Sequence, residues 1–273
     1  MRRIVWLAVI SLLGLGVAPV AHTGVAAAAA PPAGSVIALG ATADFGNGTA
    51  FPDPNPELVP NIGQAVSVDG GAGTSAALLP DGTVWSWGSN HNGQLGDGTT
   101  TDSTTPVEAI GVSNAVAIAS DGLHTLALTS GGAVWAWGAN TVGQLGDGTT
   151  ANQSTPELVS GLSDVVAIST DNSPDDTHGV GLALLADGTV WSWGSNQFEA
   201  LGTGSPADHS AVPARVPGLS NVVSVSTSGF QGLAATSDGS VWAWGAGQFG
   251  ELGDGQGGLD HIVPTPMQGG RYT

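Results

Sequence analysis

The chain has 273 residues, with 22 acidic residues against 4 basic ones and a formal net charge of −18 at pH 7. It contains no cysteine, which excludes disulfides as a source of stability and a thiol as a nucleophile. Nucleic acids and anionic lipid surfaces are bound chiefly through Lys and Arg, so the acidic balance argues against both as partners.

The first thirty residues have the pattern of a secretory signal peptide. A basic start at residues 1–3 precedes an almost wholly apolar run at 4–20, and small residues at 28–30 offer cleavage sites. The alternative is a membrane anchor, because the run is close to the lower limit of about 17 residues for a span. We expect cleavage near Ala28 to Ala30, secretion to the cell exterior or cell wall, and one domain over 31–273.

One motif recurs through the rest of the chain, namely Val-Trp-x-Trp-Gly followed by a glycine-rich loop. It begins at Val84, Val134, Val190 and Val241, and a worn copy begins at Val36. Two short apolar segments precede each full copy, and a polar stretch ending in a proline leads to a fourth short segment. Four short antiparallel strands per unit predict an all-β chain, a β-propeller of four-stranded blades with about four and a half repeats.

The paired tryptophans of each motif lie on one face of their strand, opposite small residues. Large residues facing small ones suit stacked blades, so a structural role is favoured over an aromatic binding platform. This role is predicted for Trp85, Trp87, Trp135, Trp137, Trp191, Trp193, Trp242 and Trp244.

The turns between strands carry their own signals. Asp81-Gly82, Asp187-Gly188 and Asp238-Gly239 precede the Trp strand, and such pairs are typical of two-residue type I′ hairpins. Prolines such as Pro156 predict the start of a fourth strand at the blade edge.

These elements resemble the regulator of chromosome condensation (RCC1) repeats. The resemblance rests on a Gly-x-x-His-x-x-Ala-Leu-like strand at 122–128, the Asp-Gly turn, Val-Trp-x-Trp-Gly, an Asn and Gly-Gln-Leu-Gly-x-Gly. It implies a propeller that usually has seven blades, whereas this chain shows a half unit at 36–59 and four full units. Three explanations remain: a fragment of a longer chain, an open arc closed by self-association, or a small ring closed by another route. The first two are favoured over a monomeric ring, because an open arc would expose a Trp-bearing face and unpaired edges.

Motifs for catalysis and cofactor binding are missing from the sequence. There is no Gly-x-Ser-x-Gly, no phosphate loop with its Lys and no zinc-type spacing. We therefore expect no enzymatic activity, no cofactor and no metal. His124 stands where the family repeat has its His, so a structural role is favoured over a catalytic one.

Candidate sites lie where the repeats differ. The third unit carries a longer loop with Asp171, Asp175, Asp176 and His178, which is interpreted as a partner-binding loop or a loose calcium site, against a solvated turn.

A second variable column follows the Trp strand, where Asn92, Val142, Phe198 and Phe249 align. Equivalent positions of a propeller emerge at one end, so these side chains are predicted to form part of a binding surface. The alternative is that the two Phe side chains fold back over the rim.

These observations predict a secreted, non-enzymatic propeller that binds an extracellular protein through variable loops. The resemblance adds inhibition of an extracellular hydrolase such as a β-lactamase as an alternative. A carbohydrate-binding or hydrolytic propeller is a further alternative. Guanine-nucleotide exchange, the best known activity of the repeat family, is disfavoured by the signal peptide and the charge.

Overall fold

The computed structural model describes residues 35–38, 57–71, 73–170 and 177–271. The predicted signal peptide and the three aspartates of the long loop lie outside these ranges. Among the described residues, no helix is long and apolar enough to cross a membrane.

Four antiparallel sheets of four strands form the body of the structure, and each sheet is one repeat. Blade 1 comprises β3 (Ser67–Gly71), β4 (Thr74–Leu78), β5 (Val84–Gly88) and β6 (Ser103–Glu108); blade 2 comprises β7 (Ala115–Ser120), β8 (His124–Thr129), β9 (Val134–Gly138) and β10 (Gln153–Leu158). Blade 3 comprises β11 (Val165–Thr170), β12 (Val180–Leu185), β13 (Val190–Ser195) and β14 (His209–Arg215); blade 4 comprises β15 (Val222–Thr227), β16 (Gln231–Thr236), β17 (Ser240–Gly245) and β18 (His261–Arg271). The predicted four-stranded blades are confirmed.

The worn copy of the motif also forms the strands expected of it. A two-stranded ribbon pairs β1 (Ile37–Ala38) with β2 (Glu57–Leu58), and Ile37 lies opposite Leu58. Trp135 lies opposite Leu158 in the same register in blade 2. The half unit therefore has the third and fourth strands of a blade.

The first strands of successive blades pack on one another, β3 on β7, β7 on β11 and β11 on β15. These strands therefore lie nearest the common axis. The fourth strands stand at the opposite edge of each sheet, as the prolines predicted.

Each blade packs its tryptophans on the core of the blade before it. Trp137 is fully buried in a cluster with Leu78 and Val84 of blade 1, and Trp135 packs against the same cluster. The indole Nε1–H of Trp137 donates to the Gln94 carbonyl of the preceding blade at 3.0 Å. Burial of an indole is worth several kcal/mol, of order 3–5 on truncation to Ala, so these contacts hold the blades together.

No described strand of another blade covers one face of blade 4. Leu233 in β16 is 37% exposed, whereas its counterparts Leu126 and Leu182 are completely buried between blades. At the other end, Trp87 of blade 1 packs against Val36 and Val59 of the half unit. The described strands therefore leave the small-residue face of blade 4 open, and the three hypotheses on ring closure remain predictions.

The predicted type I′ hairpins are wrong. Gly82 has φ of +80°, but Asp81 is not among the residues with positive φ, and a type I′ turn requires both. Gly82 N–H donates to Leu79 O at 3.0 Å, and Leu79 N–H donates to Thr83 O at 3.0 Å. This is a three-residue loop that ends in a left-handed glycine, and Asp81 Oδ1 accepts from the Thr83 amide and hydroxyl.

The fourth strands also begin earlier than predicted. Pairing in blade 1 starts at Ser103 opposite Gly88 and then shifts before Val107 pairs with Ser86, so Pro106 lies within an irregularity of β6. A proline cannot donate to the ladder, which explains why it lies where the pairing is interrupted.

Candidate functional site

Strand order divides the connections between two ends of the molecule. Because the strands of each blade are antiparallel, the connections from the first to the second strand and from the third to the fourth emerge together. We call this the loop end. The Asp-Gly turns and the connections between blades lie at the opposite, turn end.

A buried asparagine organises the loop after the Trp strand. In blade 2, the Asn140 side-chain amide donates to Thr149 O at 3.1 Å and to Ala151 O at 3.0 Å. The Leu145 N–H donates to Asn140 Oδ1 at 3.0 Å, which fixes Leu145 in the core. Asn90 and Asn196 make the matching bonds in blades 1 and 3, so these loops are scaffolds of defined shape.

The predicted variable column lies at the loop end, and its members differ in environment. Asn92 is partly buried, and its Oδ1 accepts from Asn152 Nδ2 of the next blade at 3.0 Å. Val142 is also partly buried. Phe198 is 43% exposed, and Phe249 is 91% exposed.

Phe230 brings two of the predicted candidates together. Its ring lies edge-on to both Phe198 and His178, with centroids 5.2 Å apart and interplanar angles of 84° and 83°. Phe230 is itself 38% exposed and lies between β15 and β16 of blade 4, whereas His178 and Phe198 belong to blade 3. We call these three residues the aromatic cluster. It joins two loops of one blade to the next blade at the loop end.

Sequence reasoning missed Phe230. The signal for it is that the equivalent position is Leu123 in blade 2 and Gly179 in blade 3, since His124, Val180 and Gln231 all pair with the glycine that ends the Trp strand. Phe198 packs on Phe230, whereas Phe249 projects from the surface. Neither prediction for the two Phe side chains, a shared exposed surface or a fold back over the rim, therefore fits both.

The loop after the Trp strand departs from the repeat in blade 3. Gly93, Gly143 and Gly250 have φ of +82°, +77° and +84°, and Glu199 takes the same place with φ of +62°. The backbone bonds match, since the Glu199 N–H donates to Asn196 O at 3.1 Å and the Gly143 N–H donates to Asn140 O at 3.0 Å. Phe198, beside Glu199, is left-handed as well, with φ of +54°. Left-handed geometry disfavours side chains by about 1–2 kcal/mol per residue.

Glycine in the other loops has a steric reason. A Cβ on Gly93 would lie 2.5 Å from Ser154 Cα of the next blade, and one on Gly143 would lie 2.5 Å from Ala211 Cα. The side chain of Glu199 must be accommodated at the same kind of contact, between blades 3 and 4. Its Oε2 atom is buried and accepts no hydrogen bond from the described residues. Sequence reasoning missed this residue, although the repeat alignment places it under glycine.

The long loop of the third unit is only partly within the described residues. His178 is partly buried and joins the aromatic cluster, while Asp171, Asp175 and Asp176 fall outside the described ranges. In the part of the chain that the structure describes, no group of three or more His, Cys, Asp or Glu could hold a metal ion. The calcium interpretation of this loop therefore stays a prediction.

His124 ties blades 2 and 3 together. It is fully buried, with Nδ1 2.7 Å from Asp121 Oδ2 and Nε2 2.9 Å from Thr170 Oγ1. The order of Asp, His and hydroxyl is that of a hydrolase triad, but the imidazole is enclosed and the Thr170 hydroxyl donates to Val180 O at 3.1 Å. The contacts are those of the structural role predicted for His124.

Asp69 stands near this network on the first strand of blade 1. Its Oδ2 accepts from the Ser120 amide of blade 2 at 2.9 Å. Burial raises the pKa of Asp69, the hydrogen bonds from Ser120 and Gly70 oppose that rise, and the charge of Asp121 adds to it.

Comparison with known proteins agrees with the repeat architecture. Models of the regulator of chromosome condensation (RCC1) repeat match residues 81–128, 131–170 and 187–235, and a second model of the repeat matches 65–94 and 115–144. The chain belongs to the RCC1 repeat family. The resemblance stated from the motif is thus confirmed.

Individual relatives match over part of their length. Protein pim1 of Schizosaccharomyces pombe is 37% identical over 97 residues, which is 31% of this chain and 18% of pim1. The crystal structure of yeast RCC1 (Prp20) bound to Kap60 superposes with a TM-score of 0.72 and 23% identity, covering 86% of this chain and 57% of that one. Human WBSCR16 gives a TM-score of 0.67 at 26% identity, covering 81% of this chain and 57% of that one. The fold is therefore that of the RCC1 propellers, of which this chain spans less than two thirds.

Proposed function

We propose that this protein is a secreted, non-enzymatic RCC1-repeat propeller that binds an extracellular protein through its loop end. The observation that carries the proposal is the aromatic cluster, because exposed aromatic side chains held by a rigid scaffold are typical anchors of protein interfaces. Repeat propellers of this family include a yeast protein solved in complex with Kap60, a protein partner. The pattern of residues 1–30 supports secretion.

Two features support a binding role over the alternatives. The loops of blades 1 to 3 are fixed by buried asparagines, so the surface is formed before a partner arrives. The Asp121, His124 and Thr170 group is enclosed and offers a substrate no direct approach to the imidazole. A hydrolase inhibitor would be a special case of the binding role, with a secreted enzyme as the partner.

The test is affinity capture from the culture fluid of the source with the tagged full-length chain. Phe230→Ser should lose the captured protein, because it removes the centre of the aromatic cluster. Val116→Ser is the matched control, since Val116 is 56% exposed and lies at the start of β7, toward the turn end. A captured protein that Phe230→Ser retains, or a chain that never leaves the cell, would contradict the proposal.

The proposal includes the absence of guanine-nucleotide exchange. A net charge of −18 and the expected export separate this chain from chromatin and from intracellular GTPases. Release of labelled nucleotide from a small GTPase at the uncatalysed rate is the expected result. Acceleration that depends on the loop end would overturn this part of the proposal.

A further inference from the structure

The blade 3 loop carries two features that the scaffold does not need. Phe198 and Glu199 are consecutive left-handed residues without being glycine, and Glu199 occupies the position where the other three loops have glycine. Strain of this kind persists where the surrounding structure enforces it, and it is concentrated at functional sites. A glycine would give the same backbone turn without the strain, as Gly143 does in blade 2.

The Glu199 carboxylate is the second, independent feature. Its Oε2 atom is buried, and it receives no hydrogen bond from the described residues. A carboxylate oxygen removed from water is stabilised by a cation or by donors that pair with it. Within the described side chains the charge is overwhelmingly negative. The positive charge of Arg215 interacts with Asp187 at the turn end, which is the opposite end from Glu199.

Glu199 also follows the aromatic cluster directly in sequence. Phe198 precedes it and packs on Phe230, so the residue with the buried carboxylate oxygen is next in sequence to a ring of the aromatic cluster, where blades 3 and 4 meet. Arg and Lys side chains combine a cationic head with an apolar stem, and Arg also stacks on aromatic rings. Such a side chain matches both halves of this junction.

We infer that the protein partner inserts an arginine or lysine side chain at this junction, where its head pairs with Glu199 and its stem lies on Phe198 and Phe230. This inference rests on the proposed function, and it specifies the chemistry of the partner. The inferred contact is with Oε1, because Oε2 is enclosed and the two oxygens share one charge. The left-handed loop keeps the carboxylate at the junction.

The experiment is selection of a random-peptide phage library on the immobilised full chain, with counter-selection on the Phe230→Ser variant. Enriched peptides are then synthesised, and their affinity is measured by fluorescence anisotropy. Each basic residue is replaced in turn by an uncharged analogue, citrulline for arginine and norleucine for lysine. The protein variants are Glu199→Gln, which removes the charge, and Glu199→Gly, which restores the residue of the other loops.

Enriched peptides should carry a basic residue beside an apolar one. Their affinity should fall by about tenfold or more when that residue is neutralised or when Glu199→Gln is used, because hydrogen bonds between charged groups are lost. Glu199→Gly should lose the same affinity while its melting temperature rises by about 3 °C, since relief of the left-handed side chain stabilises the fold. A merely structural glutamate would not combine a higher melting temperature with weaker binding.

Two other outcomes overturn the inference, and they are distinguishable. In the first, the enriched peptides require Phe230 but bind equally well to Glu199→Gln and after their basic residues are neutralised. This result would rule out the pairing of a basic residue with Glu199 and leave the proposed binding function standing. Failure to enrich any peptide that depends on Phe230 would remove the proposed function at the loop end, and the inference with it.

Discussion

The loops that follow the Trp strand in blades 2 and 3 have the same backbone plan and different chemistry. In both, the side-chain oxygen of a buried asparagine accepts a hydrogen bond from the amide of a core leucine, Asn140 from Leu145 and Asn196 from Leu201. Blade 2 then has glycine at the left-handed position, while blade 3 has Glu199. The shared residues build the blade, whereas the differing residue, Glu199, is partly buried and directly follows Phe198 of the aromatic cluster. Repetition therefore marks the scaffold, and departures from it mark the candidate site.

The largest effect is expected where the two loops do the same thing. Each loop accepts a hydrogen bond from the buried indole of the next blade, Trp193 onto Gln144 O and Trp244 onto Ala200 O. Trp193→Ala should lower the free energy of unfolding by about 3–5 kcal/mol in urea denaturation, because it empties the contact between blades 2 and 3. The control is Trp191→Ala, since Trp191 is only partly buried. Equal losses for the two variants would contradict the packing described.

Exchanging the differing residues tests the comparison directly. Gly143→Glu should destabilise blade 2 by about 2 kcal/mol or more, because it adds a left-handed side chain against Ala211 of the next blade. Gly250→Glu is the matched control, since nothing lies within 4 Å of a Cβ at Gly250 and only the backbone strain remains. Equal destabilisation of the two variants by thermal denaturation would show that the contact with the next blade is unimportant.

A smaller difference is expected for the two asparagines. The side-chain amide of Asn140 also donates to Asp147 Oδ1 and Thr149 Oγ1, whereas that of Asn196 has, among the described residues, only the backbone carbonyls of Ser205 and Ala207 as acceptors. Asn140→Ala should cost about 2–3 kcal/mol and Asn196→Ala about 1 kcal/mol less, because fewer buried groups are left unpaired. Urea denaturation of the two variants gives the comparison, and the reverse order would contradict it.

The smallest effect is a difference in acid sensitivity. Burial by itself would raise the pKa of Asp147, but the hydrogen bonds from Thr149, Gln153 and Asn140 together lower it. A lowered pKa contributes stability above the unfolded value of about 3.9, and this stability is lost as pH falls through the folded value. Blade 3 has Thr203 at this place. In Asp147→Thr, the free energy of unfolding should therefore fall less on acidification, by at most about 0.5 kcal/mol, since the carboxylate is largely open to solvent.

A larger loss of stability on acidification in Asp147→Thr than in the unmodified chain would contradict this prediction. Asp69 gives an internal check, because its raised pKa has the opposite linkage. The folded chain binds that proton more readily than the unfolded one, so this group favours the fold progressively as pH falls through its folded pKa.

Much of the fold could be predicted from the sequence because each repeat carries the same periodic signals. Alternation of Trp and small residues fixed the Trp strand and its facing direction, and the register of the worn copy at Ile37 follows from the same pattern. The turn type could not be predicted, because Asp-Gly suits both a type I′ hairpin and a three-residue loop that ends in a left-handed glycine. The start of the fourth strand was missed because its Ser- and Thr-rich residues carry no hydrophobic period.

The candidate site could be predicted only in part. The differing columns drew attention to Phe198 and His178, but Phe230 belongs to another blade, and its contact with both is a property of the folded arrangement. Glu199 was visible as a substitution under glycine. Its buried oxygen and its place between blades were not, because they depend on how blade 4 packs.

If the inferred contact exists, the blade 3 loop gives up stability for binding where it departs from the repeat. The most direct measurement is the melting temperature of Glu199→Gly together with its affinity for a loop-end peptide that depends on Phe230. We expect a melting temperature about 3 °C above that of the unmodified chain and an affinity weaker by about tenfold or more. A lower melting temperature with unchanged affinity would contradict it and would make Glu199 part of the scaffold.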